Sequence, residues 1–225
     1  MSKLKTSLIA TSLSAILVAP AALAEVSANF GVTSNYLWRG VTQSADNPSV
    51  SGGLDYSNDS GFYAGTWIGS VDFGGEFEGA ESDFYLGYAG ELDNGFGYDV
   101  GYTYYAYTDL DDSNFGELYF NGSFNAFSFG LAYTPNSDLP DDSPFGQGDL
   151  YYHVGYGVDL ADDYGLGLTY GYYAFDEDET LYGDNDYGHI QVDITKGDFM
   201  FTVSKADDES GDDDLKLVVS WGTTF

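Results

Sequence analysis

Polar and apolar residues alternate without a break through the final stretch of the chain, Leu215 to Phe225. Leu215, Leu217, Val219, Trp221, Thr223 and Phe225 share one parity, while Lys216, Val218, Ser220, Gly222 and Thr224 share the other. Successive side chains of a β-strand point to opposite faces, so one face here is apolar and rich in aromatics. A chain end normally frays. A strand running to the last residue needs a partner on each side, as in a closed barrel.

The same alternation, interrupted by turn residues, predicts strands over 26–40, 49–56, 61–70, 81–91, 96–107, 115–124, 127–134, 149–159, 164–175, 187–195, 199–205 and 214–225. A membrane barrel strand takes about 9–11 residues, and 49–56, 127–134 and 199–205 fall short of that. The connections alternate in length. Ser57–Ser60, Leu92–Gly95, Asn125–Ala126, Leu160–Asp163 and Lys196–Asp198 are short. Val41–Pro48, Val71–Ala80, Thr108–Asn114, Pro135–Gly148, Asp176–Asp186 and Ala206–Asp213 are longer. Short periplasmic turns opposite long outer loops are the pattern of outer-membrane barrels. An even strand number puts both chain ends on the short-turn side. Beyond Glu25 no apolar run approaches the ~20 residues of a membrane helix. If the chain crosses a membrane it must therefore do so as a barrel, because lipid cannot satisfy an open sheet edge. The predicted fold is all-β: a single transmembrane antiparallel β-barrel of about 12 strands.

Charge placement agrees. If the apolar parity faces lipid, then Asp55, Asp83, Asp99, Glu117, Asp159 and Asp193 face the lumen, as do Arg39, Lys216, His153 and His189. Glu25, Glu91, Asp149 and Asp214 follow the same parity. Lys205 alone among the strand bases takes the lipid parity, at a strand end where its stem can carry the charge to the headgroups. A basic residue at the lipid midplane costs about 2–4 kcal/mol. A soluble sandwich would also alternate, with its apolar face inside. It does not account for the loop asymmetry or for aromatics at strand ends. Tyr36, Trp38, Tyr56, Phe84, Phe96, Tyr104, Phe124, Phe127, Tyr133, Tyr172, Phe199, Trp221 and Phe225 suit two interfacial girdles. Segment 61–70 carries two competing parities.

Composition sharpens this picture. With 37 acidic residues against 6 basic ones, the chain has a formal charge of −31. That excludes nucleic acid as a natural partner. Extreme acidity often marks disorder, but disordered chains are poor in aromatics, and this one has 21 Tyr and 16 Phe. The absence of cysteine rules out disulfides and thiolate metal sites. The basic start at Lys3 and Lys5, the apolar stretch Leu8–Ala19 and the small residues of Ala22-Leu23-Ala24 predict a signal peptide over 1–24, cleaved after Ala24. The barrel then occupies 25–225.

Asn35-Tyr36-Leu37-Trp38-Arg39-Gly40-Val41-Thr42-Gln43-Ser44 resembles the N-terminal motif of the TorF-type porins of Gram-negative bacteria, in which an aromatic-Arg-Gly precedes Ser/Thr, Gln and Ser/Thr. The terminal strand resembles that of outer-membrane barrels whose final Phe, here Phe225, is read by the barrel assembly machinery. These resemblances imply a small outer-membrane barrel in contact with membrane lipid and lipopolysaccharide, and carry over no catalytic residue. They leave open a homo-oligomer.

The expected function is a porin-like channel for passive diffusion of small polar or cationic solutes. Lumen acids favour cations. The candidate pore residues are Arg39, Lys216, Asp55, Asp83, Asp99, Glu117, Asp159, Asp193, His153 and His189. Pairing of the first and last strands would place Arg39 and Lys216 in one basic stripe. The alternative is a non-conducting barrel whose acidic loops, such as Asp176–Glu179 and Asp207–Glu209, serve adhesion, ligand or divalent-cation binding. An enzyme is not expected: His153 and His189 lie on non-adjacent strands with no Ser-His-acid spacing. No cofactor is expected, and no metal site. Around Asp109–Asn114, Asn114 stands where a calcium loop needs Gly and Phe120 where it needs Glu.

Overall fold

Twelve antiparallel strands close into a ring in the computed structural model, which describes residues 25–75, 78–108, 110–140 and 143–225. The expected signal peptide over 1–24 and Asp109 lie outside the described residues. In chain order the strands are β1 (Glu25–Thr33), β2 (Leu37–Trp38), β3 (Val41–Thr42), β4 (Ser49–Ser57), β5 (Phe62–Asp72), β6 (Glu78–Glu91), β7 (Phe96–Tyr107) and β8 (Phe115–Phe124). They continue as β9 (Phe127–Ser137), β10 (Leu150–Asp159), β11 (Tyr164–Ala174), β12 (Tyr187–Lys196), β13 (Phe199–Ala206) and β14 (Lys216–Thr224). All but β2 and β3 form the wall. Sequence neighbours pair around it, and β1 closes the ring against β14 from Asn29↔Thr224 to Thr33↔Ser220. Closure leaves the wall itself without a free edge among the described residues.

The wall sorts its side chains by parity. Val50, Leu54, Phe84, Leu86, Val100, Leu118, Phe120, Leu131, Val154, Leu168, Ile190, Leu217 and Val219 all stand exposed on the outside. Aromatic pairs mark the two ends of this apolar band. Tyr56–Phe62 and Phe127–Tyr156 lie at the short-turn end, and Tyr152–Tyr172 at the long-loop end. On β5 the competition between parities resolves with Phe62 and Ile68 outward and Tyr63 buried inside. Tyr63 reaches across the interior to Tyr119 of β8, a strand that is not its neighbour in the wall.

The first strand departs from expectation. The alternation predicts a run to Gly40, whereas β1 ends at Thr33. The following residues turn inward as a small hairpin in which Leu37 pairs with Thr42 and Trp38 with Val41. Its tip is Arg39-Gly40, with φ of 50° and 90°. Two consecutive left-handed residues make the tight turn that suits a two-residue hairpin loop. Tyr36 and Trp38, expected in a lipid girdle, are therefore buried inside the barrel. Alternation does not break at Thr33, so parity alone could not reveal the turn.

Candidate functional site

Polar side chains of the hairpin's own sequence hold it in place. The Tyr36 amide donates to Ser44 Oγ at 2.9 Å, and Ser44 Oγ donates to the Asn47 carbonyl at 2.6 Å. Thr42 Oγ1 donates to Asn35 Oδ1 at 2.6 Å, and Asn35 Nδ2 donates to Asp46 Oδ1 at 2.7 Å. The Asp72 amide of β5 donates to the Gln43 carbonyl at 2.9 Å. The Asn35–Ser44 motif thus supplies both the turn and its fasteners.

From this tip Arg39 crosses the barrel to Glu117 on β8. Nη1 and Nη2 donate to Oε1 and Oε2 at 2.8 and 2.7 Å, a two-pronged pair that fits the guanidinium fork. Tyr105 Oη donates to the same carboxylate at 3.2 Å. The guanidinium carbon lies 4.2 Å from the centre of the Trp38 ring and 4.1 Å from that of Tyr151, within cation–π range. Burial disfavours the Arg39 charge, but the Glu117 carboxylate outweighs it and holds the pKa above the ordinary value. Trp38 also packs edge-on against Tyr105, Phe115 and Tyr173. The tip abuts β12 closely: a Cβ at Gly40 would lie 2.5 Å from the Cβ of His189.

The other expected lumen residues occupy distinct places. Asp55 accepts from Asn29 Nδ2 at 2.9 Å and from Tyr85. Asp99 accepts from Tyr63 at 2.6 Å, and Asp193 from Thr202 at 2.6 Å. His189 Nε2 and Tyr151 Oη are 2.9 Å apart, and His153 packs against Tyr151. Asp159 is exposed at the short-turn end of β10. Lys216 points inward and grips Asp46 and Asp212 at 2.8 and 2.6 Å. Arg39 and Lys216 therefore form no common basic stripe. Arg39 is on the hairpin rather than on a wall strand, and each base has its own acidic partner.

Glu81 is a further inward carboxylate that the strand pattern did not single out, although it shares the parity of Asp83. Glu81 and Asp83 are 2 % and 0 % exposed. Glu81 Oε1 accepts from Tyr107 at 3.3 Å. Its Oε2, both oxygens of Asp83 and the Tyr36 hydroxyl have no hydrogen-bond partner among the described residues. No group of three or more His, Cys, Asp or Glu side chains is placed to hold a metal among those residues.

Residues 18–196 match a family described as a bacterial protein of unknown function, Gcw_chp. The chain belongs to this family. No curated protein matches it. Among solved structures, the Gcw_chp chain is similar to the KdgM porin in complex with disordered oligogalacturonate, with 10 % identity and a TM-score of 0.52. The likeness covers 90 % of this chain and 98 % of that one, and shows a shared barrel fold. OccD3 (OpdP) of Pseudomonas aeruginosa is similar at 15 % identity and a TM-score of 0.42, over 90 % of this chain and 65 % of that one. OprD of Pseudomonas aeruginosa stands at 13 % identity and a TM-score of 0.40, over 90 % and 67 %.

Proposed function

We propose that this Gcw_chp protein is an outer-membrane porin-like channel for small polar or cationic solutes. One observation carries the reading: a closed twelve-strand wall with an apolar outer band surrounds an interior of carboxylates, phenols and amides. An apolar exterior of this extent has to be covered, and lipid is the cover that a closed barrel is built for. The resemblance of the Asn35–Ser44 motif to TorF-type porins points the same way, and a signal peptide over 1–24 would deliver the chain to the periplasm. There Phe225 would be read by the assembly machinery.

The hairpin narrows the channel at the long-loop half. Permeation then follows the walls left between Arg39–Glu117 and the acidic side chains. Acids outnumber bases there, and a low-dielectric wall focuses their field, so cations are preferred. A polyanion such as the oligogalacturonate named with KdgM is not a solute this lumen would favour. The experiment is recording in planar bilayers under a KCl gradient. Discrete conductance steps with a reversal potential of cation-selective sign are expected. A reversal potential of anion-selective sign overturns the selectivity.

A second reading has its own observation. Trp38, Tyr105, Phe115, Tyr151 and Tyr173 pack as one buried cluster across the interior. A plug that never moves would leave a non-conducting barrel, with its acidic loops serving adhesion or ligand binding. Silence from well-folded protein in the same bilayers would support it.

A further inference from the structure

The hairpin covers two carboxylates for which the barrel provides too little positive charge. Glu81 and Asp83 stand two residues apart on the inner face of β6. Opposite them in the neighbouring strands are Gly69 and Trp67 of β5 and Tyr107 and Tyr105 of β7, none of them cationic. Tyr36, leading into the hairpin, packs against Trp67, the residue opposite Asp83, and its buried hydroxyl has no hydrogen-bond partner among the described residues. The next carboxylate, Glu117, already takes both prongs of Arg39. Lys216 is engaged with Asp46 and Asp212. Glu81 and Asp83 thus remain buried with no cationic partner among the described residues.

A buried, unpaired carboxylate is costly unless it is neutralised or coordinated. Both oxygens of Asp83 and one of Glu81 have no hydrogen-bond donor among the described residues, and Asp83 is fully buried. The unpartnered polar atoms of Glu81, Asp83 and Tyr36 are all oxygens, as is the Tyr107 hydroxyl that donates to Glu81. Hard divalent cations choose such donors, and calcium tolerates irregular arrangements of them better than magnesium does.

We propose that Glu81 and Asp83 hold a divalent cation of the calcium class, with the phenolic oxygens of Tyr36 and Tyr107 beside it. The cation neutralises the pair and ties the hairpin to β6. Two carboxylates rather than a full cage place the affinity near the weak end of calcium sites, at about 10⁻⁴–10⁻³ M. This inference concerns the folded barrel and holds whether or not the barrel conducts.

The test is thermal unfolding of the full folded chain in detergent after EDTA treatment. CaCl₂ is titrated through the millimolar range at constant ionic strength. The wild type should show a saturable rise in its midpoint. Glu81→Gln and Asp83→Asn should each weaken the half-saturation at least about tenfold, equal to ~1.4 kcal/mol of binding. In EDTA, Asp83→Asn should melt above the wild type, because it removes an unpaired charge. A loop variant carrying Asp207→Asn, Asp208→Asn and Glu209→Gln should keep the response. Should Asp83→Asn not fold, Glu81→Gln reads the same quantity. An unresponsive wild type overturns the proposal and leaves a proton as the neutralising species. A response kept by both inner variants, or lost in the loop variant alone, overturns it in favour of the loops.

Discussion

Arg39 and Glu117 lie 78 residues apart in sequence and meet inside the barrel through two charge-assisted hydrogen bonds. The pair joins the hairpin tip to the β8 wall, and aromatic rings enclose it. Removing one partner of a buried pair costs about 3–5 kcal/mol, because the other charge is left behind. Arg39→Ala should therefore lower the denaturant midpoint sharply. Arg39→Met with Glu117→Leu should recover most of the loss. Unfolding followed by tryptophan fluorescence checks this, since Trp38 packs under the guanidinium. A double variant as unstable as the single one would mean that the pair contributes more than charge balance.

Replacing Tyr36–Gln43 by a short Gly-Ser linker should raise single-channel conductance several-fold, because the linker cannot refill the interior. An unchanged conductance would place the constriction elsewhere, with the Tyr63–Tyr119 contact across the barrel as the first alternative.

Gly40→Val should destabilise the hairpin by about 1–3 kcal/mol through the left-handed backbone alone. The approach to His189 adds to that cost. Limited proteolysis across residues 34–48 should register the loosened tip before global unfolding does. Equal protection in variant and wild type would show that the turn tolerates the change.

Leu118→Arg places a charge on the outer band, where Leu118 is exposed. In lipid vesicles it should cost about 2–4 kcal/mol near the midplane. Phe127→Arg, at the short-turn end, should cost less. Equal and negligible penalties at both depths would argue against a membrane setting.

Much of this architecture was legible in the sequence because a closed sheet uses one period throughout. Lys216, Leu217, Val218 and Val219 alternate inward and outward as their pattern predicts. The hairpin was not legible, for a physical reason. Leu37, Trp38, Val41 and Thr42 are still β-paired, but with each other, and the sequence alternation runs on from β1 without a break. Only Arg39-Gly40 carried a local signal, since glycine suits the second position of a tight two-residue turn. Tyr36 and Trp38 resemble girdle residues in composition and became core residues by tertiary placement. Lys216 lies on the inward parity, but its partners Asp46 and Asp212 come from loops whose paths the alternation does not describe.

The position of the hairpin ties the lumen to the seam that closes the ring. It hangs between β1 and β4, and β1 is also one lip of the seam with β14. The seam is short, and Lys216 on its other lip holds Asp46 just beyond the hairpin. Because the hairpin is hinged at the long-loop rim, it can dock inward without disturbing the wall, and Lys216 then ties its trailing end to the seam.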